Sequence, residues 1–242
     1  MAGRILIYGG SGGIGSATAR ALHARGYTLH LVGRDGERLT SIAQEIGATF
    51  TRGDVADSSL FSRATEEAGD VLDGLAYAIG SINLKSLQRL TESDFLSDYR
   101  LNALGAALAV QAALPALRKS AGTASIVLFS TVAVRQGFAF HASIGMAKGA
   151  VEGLTLSLAA ELAPKVRVNA IAPSLTRTKL AENVIANEKM AESIAGLHAL
   201  QRLGEPEDIA ALAAFLVSSE SSWITGQIIG VDGGRSSLRT KS

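Results

Sequence analysis

Short apolar runs, many of them β-branched, fall at 5–8, 28–32, 48–51, 74–77, 125–129, 166–171 and 228–231, and longer helix-like segments separate them. Strand and helix thus alternate along the whole chain, which predicts an α/β fold: one doubly wound parallel sheet of about seven strands with helices on both faces. Ligands of such sheets sit in the crevice at the carboxyl ends of the strands, so candidate chemistry is sought there. The last helix is expected to open near Glu205-Pro206-Glu207-Asp208, because proline suits the first turn and acids suit the positive end of the helix dipole. No linker-like stretch or repeat divides the chain. Residues 1–235 therefore read as one domain and 236–242 as a C-terminal tail.

The first strand runs directly into Gly9-Gly10-Ser11-Gly12-Gly13-Ile14-Gly15 and then into a helix-like segment. Strand, glycine turn and helix start in succession bring backbone N–H groups and a positive dipole end to one point, where residues without a Cβ let a pyrophosphate approach. This is the context a dinucleotide fingerprint requires. About 20 residues beyond the glycines, NAD sites usually place an acid on the ribose hydroxyls, whereas a basic side chain accepts a 2′-phosphate. Here Gly33-Arg34 stands at that place, with no carboxylate at position 33. NADP(H) is accordingly expected in preference to NAD(H), with an exposed loop arginine beside an Asp35 helix cap as the plain alternative.

Composition narrows the function classes. With 47% hydrophobic and 19% charged residues, the 242-residue chain has the makeup of a compact soluble protein. A net charge of +1 without basic runs argues against a nucleic-acid partner. The absence of cysteine excludes disulfides and thiolate chemistry and suits a reducing compartment. With no leader and no apolar run near membrane length, the expectation is a cytoplasmic protein without a membrane partner. The four histidines, His23, His30, His141 and His198, lack ligand spacing, so no metal is expected.

Several further motifs follow in order: Gly53-Asp54-Val55, Leu101-Asn102, Ile126 to Thr131, Val168-Asn169-Ala170-Ile171-Ala172-Pro173, and Ile224 to Gly234. With the glycine turn they make the sequence resemble the classical short-chain dehydrogenase/reductase family over nearly its whole length. The resemblance implies a Rossmann-type fold, hydride transfer through NAD(P)(H), a small-molecule substrate and a homo-oligomer, tetramer or dimer. It places cofactor contacts on Gly9, Ser11, Gly12, Gly13, Ile14, Gly15, Arg34, Asp54, Val55, Ala78, Ile79, Gly80, Lys148, Pro173, Thr176 and Thr178. Catalytic positions carried over are Lys148, Thr131 in place of the family serine, and Asn102.

The departures bear most on function. Four residues before the lysine the family carries a tyrosine that exchanges the substrate proton; here Ile144 stands there, with no proton to give. Tyr8 replaces the usual Thr before the first glycine, Tyr77-Ala78-Ile79-Gly80 replaces Asn-Asn-Ala-Gly, and Ser174 replaces a common glycine. Candidate substitutes are His141, two helical turns before Lys148 if the helix reaches back that far, and a water held through Asn102. Ser143 reads as a helix cap, and Tyr77 as a strand end beside the nicotinamide position. The stretch 176–200 reads as a lid over a partly apolar pocket. Three functions stay open: an NADP(H)-dependent oxidoreductase of a small to medium carbonyl or alcohol, with an atypical proton donor; a catalytically impaired nucleotide sensor or hetero-oligomer partner; and an enoyl-type reductase, from the His141 spacing.

Overall fold

The structure, a computed structural model, describes residues 3–239. Seven strands form one parallel sheet in the order β3-β2-β1-β4-β5-β6-β7: β1 Arg4–Tyr8, β2 Thr28–Gly33, β3 Thr49–Arg52, β4 Gly74–Tyr77, β5 Ala124–Phe129, β6 Val166–Pro173 and β7 Ile228–Val231. Every strand lies where an apolar run stands, with ends displaced by at most two residues. The expected doubly wound Rossmann-type sheet is what the chain forms. Of the expected tail, residues 240–242 lie outside the described residues.

Both faces of the sheet are apolar, because successive side chains of a strand point to opposite sides. Leu6, Leu75 and Ile126 pack on one face with α3 (Ser59–Ala68), α5 (Gly105–Arg118) and α7 (Ala142–Leu162). Ile5, Ile7, Leu29 and Val127 pack on the other with α1 (Gly13–His23), α2 (Gly36–Ile46) and α10 (Pro206–Val217). The strand order reverses between β1 and β4, where Tyr8 pairs with Tyr77, and this opens a crevice beyond their carboxyl ends. As expected, α10 opens on Glu205 with Pro206 in its first turn and a reciprocal Glu205–Asp208 capping box.

Three expectations need correction. First, α4 (Glu92–Tyr99), a wider π-helical stretch (Arg100–Leu104) and α5 together make a helical run, Glu92–Arg118, that is long and apolar enough to cross a membrane by length and composition alone. Half of that window is buried in the fold, as in the core helix of a soluble protein, with Ala106, Ala109, Ala113 and Leu117 in the core. Second, Ser143 is not a helix cap: it is buried and donates to Asp98 Oδ2 at 2.6 Å. Third, Tyr77 does not face the crevice; its buried ring packs 5.6 Å from Tyr8, and its hydroxyl donates to Leu101 O at 2.8 Å.

Candidate active site and cofactor cleft

The glycine turn closes through its own backbone. Gly9 and Gly10 both donate to Val32 O, at 2.8 and 3.0 Å, which pins the turn to β2. Gly9 adopts a φ of +82°, and a Cβ there would stand 2.7 Å from Ala78 O. At position 15 a Cβ would lie 2.1 Å from Gly9 O, so the turn and α1 approach as closely as backbone allows. Helix α1 starts after Gly12 without a side-chain cap and without an acid in its first turn. Its first N–H groups and its positive end are thus available to an anion.

At the edge of the same crevice, Arg34 follows β2 with its side chain 77% exposed and 3.5 Å from Asp54 Oδ2. Asp35 caps α2 by accepting from Arg38 N at 3.1 Å, so the cap and the exposed arginine coexist. Arg52, at the end of β3, donates to Arg34 O at 3.2 Å and brings a second cation to this edge. Ser11 sits beside Gly33, where a Cβ would meet its Oγ at 2.7 Å, so a larger residue there would have to turn the Ser11 hydroxyl aside.

The other end of the crevice is a cavity of about 290 Å³ lined by Ile14, Ala78–Gly80, Thr131, Ile144, Lys148, Pro173, Thr176 and Thr178 among others. Asp54 and Val55 lie beyond β3 and do not line it. Lys148, buried on α7, donates from Nζ to Phe129 O at 2.7 Å. Burial pushes its pKa down to about 8, against the opposing pull of the Asp98 carboxylate. Ile144 lies one turn before it on the same helix, buried and lining the cavity. Thr131 is half-buried: its Oγ1 accepts from Ala133 N at 3.3 Å and lies 3.5 Å from Pro173 O. The hydroxyl therefore pairs with backbone while still facing the cavity.

Asn102 sits in the π-helical stretch, a widening often found at functional sites. Its Nδ2 donates to Ser81 Oγ at 2.9 Å and to Asp98 O at 2.8 Å, while its buried Oδ1 has no partner among the described residues. A Cβ on Gly80 would stand 3.2 Å from that oxygen and 3.3 Å from Lys148 Nζ. The missing Cβ thus leaves a polar gap between an orphaned acceptor and an ammonium, a place suited to a hydroxyl-bearing group or a water. His141 falls short of the expected position: α7 begins at Ala142, so the imidazole sits at the helix entrance rather than on its face. Its Nδ1 lies 2.8 Å from Ala139 O, and the ring meets Phe138 edge-on at 5.4 Å, while still lining the cavity.

Asp98 is a site feature the sequence reading missed. Its carboxylate is buried and accepts from Ser81 at 2.6 Å, Ser143 at 2.6 Å and Asn83 at 3.3 Å. It joins α4, α7 and the loop after β4, and supplies negative charge near Lys148. The signal was its spacing, four residues before Asn102 on one helical face. In the stretch 176–200, Thr178 caps a short turn at Lys179–Ala181, and α8 (Glu182–Ile185) and α9 (Glu188–Ala195) follow, with Leu180, Val184 and Ile194 against the cavity.

A family model described as enoyl-(acyl carrier protein) reductase matches residues 9–236. A tropinone reductase homologue of Arabidopsis thaliana is 32% identical, covering 95% of this chain and 90% of its own. L-2,3-butanediol dehydrogenase of Corynebacterium glutamicum is also 32% identical, covering 95% of this chain and 96% of its own. Among solved structures, a tyrosine-to-phenylalanine variant of ElxO with NADPH bound is 29% identical and superposes with a TM-score of 0.89, over 98% of this chain and 100% of that one. These matches run nearly end to end, and the family model's span takes in the glycine turn, Lys148 and the last strand alike. The chain belongs to the short-chain dehydrogenase/reductase family of oxidoreductases.

Proposed function

We propose that this protein is an NADP(H)-dependent oxidoreductase that moves hydride to or from a small to medium carbonyl or alcohol, with the proton handled by a group other than a phenol at position 144. The observation that carries this reading is the buried Lys148 ammonium facing the partnerless Asn102 Oδ1 across Gly80, inside the crevice opened by the glycine turn. In this reading the N–H groups of Gly12 to Gly15 and Ser11 hold the pyrophosphate, Arg34 grips the 2′-phosphate, and Asp54 with Val55 flank the adenine. Ala78 to Gly80 and Lys148 hold the nicotinamide ribose, and Pro173, Thr176 and Thr178 face the carboxamide. When bound, the dinucleotide supplies or accepts the hydride. Lys148 orients a ribose hydroxyl by donating to it, the Thr131 hydroxyl donates to the substrate oxygen, and a water on Asn102 Oδ1 or the His141 imidazole exchanges the proton.

A homo-oligomer of two or four copies in the cytoplasm is part of the proposal, supported by family habit and by the cysteine-free composition. The opposing reading, a nucleotide-binding protein that has lost catalysis, is motivated by Ile144 itself. One experiment separates the two. Purified protein with NADPH and a panel of ketones, quinones and enoyl thioesters is expected to give product, and Ile144→Tyr to lower the rate about 10-fold by crowding the buried position. No turnover by the parent, with activity created by Ile144→Tyr, is the result that contradicts an atypical donor. Reduction of enoyl thioesters alone marks a double-bond reductase instead.

A further inference from the structure

Apart from the crevice that would hold the dinucleotide, the cavity carries a cation that no part of the proposed reaction uses. Arg235 comes from the segment after β7 and, half-buried, lines the cavity. Its guanidinium lies 4.5 Å over the Phe138 ring, and Phe138 in turn packs against His141. That stack fixes the plane of the guanidinium and so aims its remaining N–H groups.

Little else engages those groups. The one side-chain hydrogen bond of Arg235 among the described residues runs from Nη1 to Ser174 Oγ at 3.3 Å, while a guanidinium has five N–H donors. No carboxylate pairs with it among the described residues. The nearest acid in sequence, Asp232, is occupied by the N–H groups of Gly234 and Ser236 and by the Ser236 hydroxyl. Arg167 shows what a structural arginine of this fold looks like: its guanidinium donates to the carbonyls of Leu216, Ser218 and Ile224 and to Ser221 Oγ.

Among the described residues the cavity lining contains no aspartate or glutamate, and much of it is apolar, Ile82, Leu84, Leu180, Val184 and Ile194 included. Lys148, the other cation, is turned inward to Phe129 O. We infer that Arg235 selects substrates that carry a carboxylate on a short apolar frame, the carboxylate seated on the stacked guanidinium and the reacting carbon directed toward Thr131. This inference rests on the proposed function only in taking the cavity as the substrate site; anion binding itself needs no turnover. A guanidinium held flat on an aromatic ring and left with free donors is the usual partner of a carboxylate, and its partial burial strengthens the pairing.

The test is calorimetric titration of hexanoate and of hexanamide, each into the protein with and without saturating NADPH. Hexanoate is expected to bind at least about 10-fold more tightly than hexanamide. Arg235→Gln is expected to weaken hexanoate about 10- to 100-fold and leave hexanamide unchanged, with Arg235→Lys between the two. The substitution keeps the main-chain carbonyl that accepts from Gln136, and an unchanged melting curve verifies the fold. Equal binding of acid and amide, no binding of either, or indifference of hexanoate affinity to Arg235→Gln overturns the inference. Failure of NADPH to bind in the same titrations strikes instead at the proposed cofactor, and the hexanoate result without NADPH is then read by the same criteria.

Discussion

Lys148→Met is expected to lower kcat/KM about 10²- to 10³-fold while the Tm stays within about 5 °C of the parent. The split is expected because, in the proposed role, the buried ammonium serves ligand binding at a cost to the fold. Burial holds its pKa near 8 against an ordinary value of 10.5. Between those values the unfolded chain binds the proton more readily than the native one, so stability rises with pH through about 8 to 10.5 and is diminished at neutral pH. Removing the charge relieves that cost, while the loss of the donor to Phe129 O removes one buried hydrogen bond, and the two partly cancel. Activity has the opposite pH sense: with NADPH varied, kcat/KM should fall as pH rises through about 8, because the neutral amine no longer matches its polar partners. Lys148→Arg should abolish that limb. An activity unchanged in Lys148→Met, or lost only together with the fold, contradicts the role.

The second large effect lies in the glycine turn, where two alanine substitutions should separate architecture from ligand contact. Gly15→Ala places a Cβ 2.1 Å from Gly9 O and 2.7 Å from its carbonyl carbon, both backbone, so α1 must move away from the turn. A destabilisation of about 3 kcal/mol or more is expected, read as a lower denaturant midpoint. Gly12→Ala meets only Gly9 O at 3.2 Å, with φ −79° and ψ 166°, a conformation open to any residue. It should fold normally and lose about 10-fold or more in NADPH affinity, because a methyl group then stands at the entrance to the helix. Normal stability in Gly15→Ala, or full NADPH affinity in Gly12→Ala, contradicts this assignment of the turn.

The sheet was legible because each strand is a short apolar run covered on both faces, and such runs stand out between amphipathic helices. Strand ends were less legible: the ladder partner sets them, as where Gly33 pairs with Arg52 one residue past the apolar run. The glycine turn was legible as well, since only close backbone approach explains so many residues without a Cβ between a strand and a helix. The start of α7 was not, because His141 makes no side-chain cap and nothing local marks where the helix begins. Ser143 misled for a related reason: its true partner, Asp98, lies 45 residues earlier and meets it only in the packed fold. Arg52 and Arg235 were missed although each borders a quoted motif, because what they meet, Arg34 O and the Phe138 ring, comes to them only in the packed fold.

Calorimetry with NADPH and NADH on the parent protein and on Arg34→Ser tests most directly whether a pyridine dinucleotide is held between the glycine turn, Arg34 and Lys148. Both dinucleotides are expected to bind the parent, NADPH about 10-fold or more tightly, and Arg34→Ser to remove the difference by weakening NADPH alone. No heat of binding with either dinucleotide contradicts this placement of the cofactor.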